Sequence, residues 1–153
     1  SQVVDLHTIT SETLSFVGEV IRKRDINVET DLRASSARVL GNTGKFQQVL
    51  VNLLTNAADA LEGLPRERRV TISTQVDGDR VIWAVSDTGE GIPREVIKRI
   101  FDPFFTTKPA GKGTGLGLSI SRTIVEQYQG TMEVESHADR GTTFRMRFRV
   151  LPD

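Results

Sequence analysis

Gln47-Gln48-Val49-Leu50-Val51-Asn52-Leu53-Leu54-Thr55-Asn56-Ala57-Ala58-Asp59-Ala60-Leu61 carries two periodic faces at once. Phe46, Val49, Leu50, Leu53, Ala57 and Leu61 recur at helical spacing, which predicts one amphipathic helix with an apolar stripe against a core. Gln48, Asn52, Asn56 and Asp59 follow one another at intervals of four, four and three and stack on a different face. Lys, Glu or Arg would serve an exposed face as well, and Asn is a poorer helix former. A carboxamide oxygen is a neutral, hard acceptor. It suits a magnesium ion that keeps most of its waters and takes its other oxygens from the phosphates of a nucleotide. A solvated polar stripe is the alternative at this point, and glycine segments downstream tilt the balance.

Outward from this helix, residues 6–24 place Leu6, Ile9, Leu14, Phe16, Val17, Val20 and Ile21 at approximate helical spacing, ending in the basic run Arg22-Lys23-Arg24. Residues 26–32 alternate apolar and polar like a half-buried strand, and residues 38–40 predict a short strand before Gly41. Residues 69–76 and 80–86 form a predicted hairpin around Asp77-Gly78-Asp79. A short helix over 95–100 leads into a glycine- and proline-bearing segment, 101–115, long enough to act as a lid. A third long helix covers 116–128 before Gly130, and strands over 131–135 and 142–150 flank Asp139-Arg140-Gly141. Three or more helices and about five to seven strands without regular βαβ alternation predict an α+β two-layer sandwich.

The 153 residues suffice for one domain with its own core. The absence of Cys excludes disulfides and thiolate metal sites and is compatible with a reducing compartment. Twenty basic and twenty acidic residues cancel, so composition offers no case for nucleic acid or an anionic membrane surface. No apolar run approaches the length of a membrane span. A start at Ser1 suggests a piece of a longer parent, with other domains expected outside it.

Asp87 ends the second hairpin strand and runs into Thr88-Gly89-Glu90-Gly91-Ile92-Pro93. Glycines there let a flat ligand lie against the backbone, and the carboxylate accepts from an amine such as that of adenine. An ordinary strand-ending turn has the same composition. Asp-Thr-Gly is also the tripeptide of aspartic proteases, but those are predominantly β, and Glu90 would add a charge beside the catalytic pair. Gly111-Lys112-Gly113-Thr114-Gly115-Leu116-Gly117-Leu118-Ser119 runs glycines into a helix start, where backbone N–H groups and the helix dipole favour di- and triphosphates. It is neither a Walker A loop nor a dinucleotide fingerprint. Phe101, Phe104 and Phe105 are either staples of the lid to the core or a docking patch, and Lys108 could reach phosphate as a mobile point charge.

Taken in order, these segments resemble the ATP-binding catalytic domain of sensor histidine kinases, a branch of the Bergerat-fold ATPases. Residues 45–60 look like its N box, 87–93 its G1 box, 101–108 its F box, 111–118 its G2 box and 141–144 a last glycine motif. The wording of Pro103 to Lys108 and of Asn56 to Ala60 looks most like the branch that senses nitrogen status, oxygen or dicarboxylates. The resemblance implies a mixed, mostly antiparallel sheet covered on one face by about three helices. It further implies binding of Mg-ATP and γ-phosphoryl transfer to a histidine of a separate dimerisation domain of the same parent, with a response regulator downstream. It implies a cytoplasmic location, whether the parent is free or membrane-anchored, with neither nucleic acid nor the membrane as a direct partner.

Residue by residue, the resemblance makes Asn56 the magnesium ligand and Asn52 its helper at the phosphates. Asp87 would recognise the adenine amine, with Gly89, Gly91 and Ile92 around the base. Thr107, Gly113, Thr114, Gly115, Leu116, Gly117, Leu118 and Thr143 would complete the nucleotide site. Many relatives carry Lys-Tyr where this chain has Asp59-Ala60, which moves the basic phosphate contact elsewhere, with Lys108 the candidate. Hydrolytic cousins carry Glu where Asn52 stands, and Asn cannot take a proton from water. His7 and His137 lack the sequence context of an acceptor histidine and are expected at the surface. A non-catalytic nucleotide sensor whose lid gates a protein partner is the alternative function.

Overall fold

The computed structural model describes residues 2–108 and 115–152. Among them the chain forms β1 (Gln2–Asp5), α1 (Leu6–Arg22), β2 (Asn27–Leu32), β3 (Arg38–Gly41), α2 (Thr43–Leu61), β4 (Arg69–Asp77), β5 (Arg80–Asp87), α3 (Arg94–Ile97), α4 (Gly117–Gln127), β6 (Thr131–His137) and β7 (Gly141–Arg149). Five strands make one sheet in the order β2-β4-β5-β7-β6, and β1 pairs with β3 in a separate ribbon. Only the β2 to β4 pairing is parallel; the other pairings are antiparallel. The α+β architecture with a mixed, mostly antiparallel sheet is therefore as expected.

Helix α2 begins where Asn42 Oδ1 accepts from Lys45 N at 2.9 Å, several residues before its apolar pattern becomes regular. Its stripe of Phe46, Val49, Leu50, Leu53, Leu54 and Leu61 is buried against the sheet. Trp83 on β5 lies fully buried, with its ring 6.2 Å from that of Phe46 and its indole N–H donating to Thr10 Oγ1 of α1 at 3.0 Å. Phe148 of β7 and Tyr128 after α4 stand 5.0 and 5.4 Å from the same Phe46 ring. One aromatic cluster thus joins α1, α2, the α4 end and two central strands, and anchors the start of α2 at Phe46 over Trp83 of β5.

Strand alternation sorts the sheet into two faces. Trp83, Val85, Phe144, Met146 and Phe148 face the helices. On the open face Arg145 and Arg147 pair with Glu135 and Glu133 at 2.7 and 3.1 Å, and Arg147 reaches Asp77 at 3.3 Å. Ile82 and Ala84 are nonetheless buried there, in register with Arg147 and Arg145. Long charged side chains shield apolar atoms in this way while keeping their ends in water.

Several expectations are corrected. Strand β1 was not anticipated, because a short stretch with one buried residue, Val4, carries little periodic signal. Helix α1 stops at Arg22, and α3 is a single turn over Arg94–Ile97 in place of 95–100. His7 is not a free surface residue: it is half-buried, with Nε2 2.6 Å from Thr74 Oγ1. His137 is exposed and 3.2 Å from Glu135.

Candidate functional site

A cleft of ≈ 750 Å³ opens between α2, the end of β5, α3, the lid residues 105–108 and the start of α4. Asn52, Asn56, Asp87, Gly91, Ile92, Thr107, Lys108, Gly115, Gly117 and Leu118 all line it. Helical spacing delivers Asn52, Asn56 and Asp59 to its floor, half-buried, while Gln48 at the outer end of the same row stays exposed and away from the cleft. Helix α2 ends with its buried stripe and its polar row on opposite sides, so packing the first aims the second.

At one end, Asp87 is the last residue of β5, in register with Thr142 of β7. Its Oδ1 accepts from Gly89 N at 2.8 Å. Burial pushes this carboxyl above its ordinary pKa, and hydrogen bonds from the Gly89 and Thr142 backbone N–H groups pull in the opposite direction. The loop after it is braced from outside the cleft. Ile92 N donates to Ser136 Oγ at 2.7 Å, Asp139 N to Glu90 O at 2.7 Å, and Arg66 Nη2 to Gly89 O at 2.7 Å. Gly91 has φ +84, and a β-carbon there would run into the carbonyl of His137.

At the other end, Asn52 Nδ2 donates to Ser121 Oγ at 3.2 Å, and Ser121 is fully buried on α4. That bond fixes the amide orientation of Asn52. Lys108 Nζ lies 2.7 Å from Asp59 Oδ2 and donates to Asn56 Oδ1 at 3.3 Å. Arg24 holds the other carboxylate oxygen of Asp59 at 3.2 Å. Lys108 thus reaches the Asn56 carboxamide and the Asp59 carboxylate together. Among the described residues, helix α4 begins at Gly117 with no side-chain hydrogen bond capping it, and the positive end of its dipole lies at the cleft, where it favours an anion.

Three residues expected at the nucleotide do not line the cleft. Thr143 faces the open side of the sheet, where its Oγ1 pairs with Ser86 Oγ at 2.8 Å, and the adjacent Thr142 faces inward instead. One residue of register decides this, and the glycine motif alone does not specify it. Gly89 lies behind Asp87, where a β-carbon would sit 3.3 Å from the Ala60 carbonyl oxygen. Leu116 occupies the N-cap position of α4. Gly113 and Thr114 lie outside the described residues, as do Gly111 and Lys112. Of the three phenylalanines, Phe101 packs edge-on to Phe144 at 6.4 Å and Phe105 lines the cleft, whereas Phe104 is 73% exposed. Ser121, Ser136 and Arg66 escaped sequence reasoning because each acts through a distant partner.

The donor set fits a magnesium ion that arrives with phosphates. Among the described residues no group of three or more His, Cys, Asp or Glu could hold a metal by itself. Asn56 offers one hard oxygen that already receives a cation, the Lys108 ammonium.

A family model described as Histidine kinase-, DNA gyrase B-, and HSP90-like ATPase matches residues 41–152. Sensor kinase CckA of Brucella abortus is 36% identical over 160 residues, taking in 95% of this chain and 16% of the relative. Sensor protein FixL of Bradyrhizobium diazoefficiens is 41% identical over 124 residues, 81% of this chain and 24% of the relative. Among solved structures, a nucleotide-free catalytic domain of histidine kinase ThkA matches with a TM-score of 0.84 at 31% identity, covering 97% of this chain and 95% of that one. The chain spans about a sixth to a third of the length of the curated relatives it matches. Among the described residues no helix is long and apolar enough to cross a membrane.

Proposed function

Because the chain belongs to the histidine kinase-, DNA gyrase B- and HSP90-like ATPase family, we propose that it binds Mg-ATP and transfers the γ-phosphoryl group to a histidine. The acceptor histidine would be carried by a dimerisation domain elsewhere in the parent protein. The observation that carries this is the convergence of Asn56, Asp87, Lys108 and the start of α4 on one cleft. Asp87 accepts from the exocyclic amine of the purine. Gly91 and Ile92 lie along the base, and Thr107 lies beside the lid lysine.

Gly115, Gly117 and Leu118 bring the first turn of α4 to the phosphates, where N–H groups and the helix dipole favour negative charge. Asn56 holds magnesium, which supplies charge neutralisation at the phosphates. Lys108 adds a mobile positive charge, and Asn52, oriented by Ser121, assists at the phosphates without taking a proton. In the transfer, the bond between the γ-phosphorus and its bridging oxygen breaks, a phosphorus–nitrogen bond forms, and ADP leaves. The imidazole proton passes to solvent. A carboxamide at position 52 leaves water unactivated, which protects the γ-phosphate until the histidine arrives.

A response regulator takes the phosphoryl group next; the solved histidine kinase ThkA in complex with response regulator protein TrrA, 29% identical to this chain, supports such a partner. A need for ATP as substrate supports a cytoplasmic location for the domain. The test supplies a histidine-bearing dimerisation domain in trans with Mg-ATP and assays acid-labile, alkali-stable phosphohistidine. Wild type is expected to give it and Asn56→Ala to fall by about 100-fold or more. Tight nucleotide binding with no transfer to any acceptor domain would favour a nucleotide-sensing module instead.

A further inference from the structure

Asp59 is out of place for a phosphate site, since a carboxylate near a polyphosphate repels it. The structure shows how the charge is absorbed. Arg24 Nη2 sits 3.2 Å from Asp59 Oδ1, and Lys108 Nζ sits 2.7 Å from Asp59 Oδ2. Lys108 also donates to Asn56 Oδ1 at 3.3 Å, so one ammonium bridges two oxygens that lie three residues apart on one face of α2. The three charged side chains are each about one-third exposed, enough to exchange partners and buried enough to feel one another.

An ammonium and a hydrated divalent cation seek the same hard oxygens. We propose that Asn56 and Asp59 form one cation seat, filled by the chain's own Lys108 until a metal nucleotide displaces it. Metal entry and release of Lys108 toward the phosphates are then a single exchange. Asp59 is a positioning residue in this exchange. Arg24 holds its carboxylate, and further donates to Ala58 O at 3.5 Å, so the seat keeps its shape when Lys108 leaves. Once vacated, Asp59 Oδ2 is open to the metal or to one of its waters. Because Lys108 is held on α2 only through Asn56 and Asp59 among the contacts described, the exchange also couples metal occupancy to the hold of residues 105–108 on α2. This rests on Asn56 being the metal ligand of the proposed nucleotide site and assigns that site a second protein oxygen, from the Asp59 carboxylate, and a built-in competitor.

The test uses Mn²⁺ alone, counted free and bound by electron paramagnetic resonance, on wild type, Lys108→Met and Lys108→Met with Asp59→Asn. Methionine keeps the length of the stem and removes the charge. Lys108→Met is expected to bind Mn²⁺ at least about tenfold more tightly than wild type, because a positive charge leaves the oxygens the metal needs. Adding Asp59→Asn should remove that gain. An unchanged affinity in Lys108→Met, or a gain that survives Asp59→Asn, overturns the seat. Wild type is titrated in parallel with a magnesium complex of a non-hydrolysable ATP analogue. If the analogue binds and the Mn²⁺ pattern fails, the seat alone is wrong. If the Mn²⁺ pattern appears and the analogue does not bind, the nucleotide site is wrong and the coupling falls with it.

Discussion

Asp87→Asn is expected to weaken Mg-ATP binding by about 100-fold or more and to raise the thermal midpoint of the nucleotide-free protein at neutral pH. The asparagine oxygen can keep the N–H of Gly89, which now lies 2.8 Å from Asp87 Oδ1. Its NH2 group then meets the purine amine donor to donor, so the amine loses its acceptor inside a closed site. The stability effect follows from the sign of the pKa shift. Burial raises the folded-state pKa of Asp87 above its unfolded value. Between those two values the folded state holds the extra proton, so the contribution of this group is fully present below the unfolded pKa and is lost as pH rises through the folded one. At neutral pH the ionised carboxylate is a net cost to the free protein, and asparagine removes it. Isothermal titration with Mg-ATP and melting curves between acid and neutral pH measure both halves. The melting curve of Asp87→Asn should show a smaller decline across that range than that of wild type.

Gly141→Ala is expected to destabilise the protein by about 3 kcal/mol or more. Gly141 has φ +91, and an added β-carbon would run into the carbonyl oxygen of Asp87 and approach Thr88 Cα at 3.2 Å. Both neighbours are backbone of the adjoining strand end, so relief requires β5 and β7 to separate where Asp87 is positioned. Gly78→Ala is the comparison: φ is +65 at the hairpin tip, and nothing lies within 4 Å of the added carbon. That variant carries only the left-handed penalty, about 1 kcal/mol. Urea unfolding without nucleotide should separate the two, and a Gly141→Ala loss no larger than that of Gly78→Ala would contradict the close approach.

These two glycines also show where sequence reasoning reaches and where it stops. Gly78 sits in a turn whose Asp-Gly-Asp wording alone announces a hairpin, and the structure pairs β4 with β5 around it. Gly141 looks like another turn residue, but its necessity comes from Asp87, distant in sequence and brought alongside only by sheet pairing. Asn52 and Asn56 were legible because their spacing is local to one helix. Ser121 and Ser136, which orient Asn52 and the loop at Ile92, were not, since a lone serine carries no periodic or compositional signal. The inversion of Thr142 and Thr143 has the same origin: adjacent strand residues face opposite ways, and only the register of β7 against β5 says which faces the cleft. Asp59 read as a missing lysine; its meaning emerged once Lys108 and Arg24 were found on its two oxygens.

Calorimetric titration of the wild-type protein with Mg-ATP and with Mg-inosine triphosphate tests most directly whether one cleft holds a purine amine at Asp87 and phosphates at Asn56. Inosine keeps the phosphates and ribose but turns a carbonyl oxygen toward the carboxylate, so it should bind about 100-fold more weakly, and Asp87→Asn should narrow the gap. Equal affinity for the two nucleotides, or no binding of Mg-ATP at all, would contradict the account.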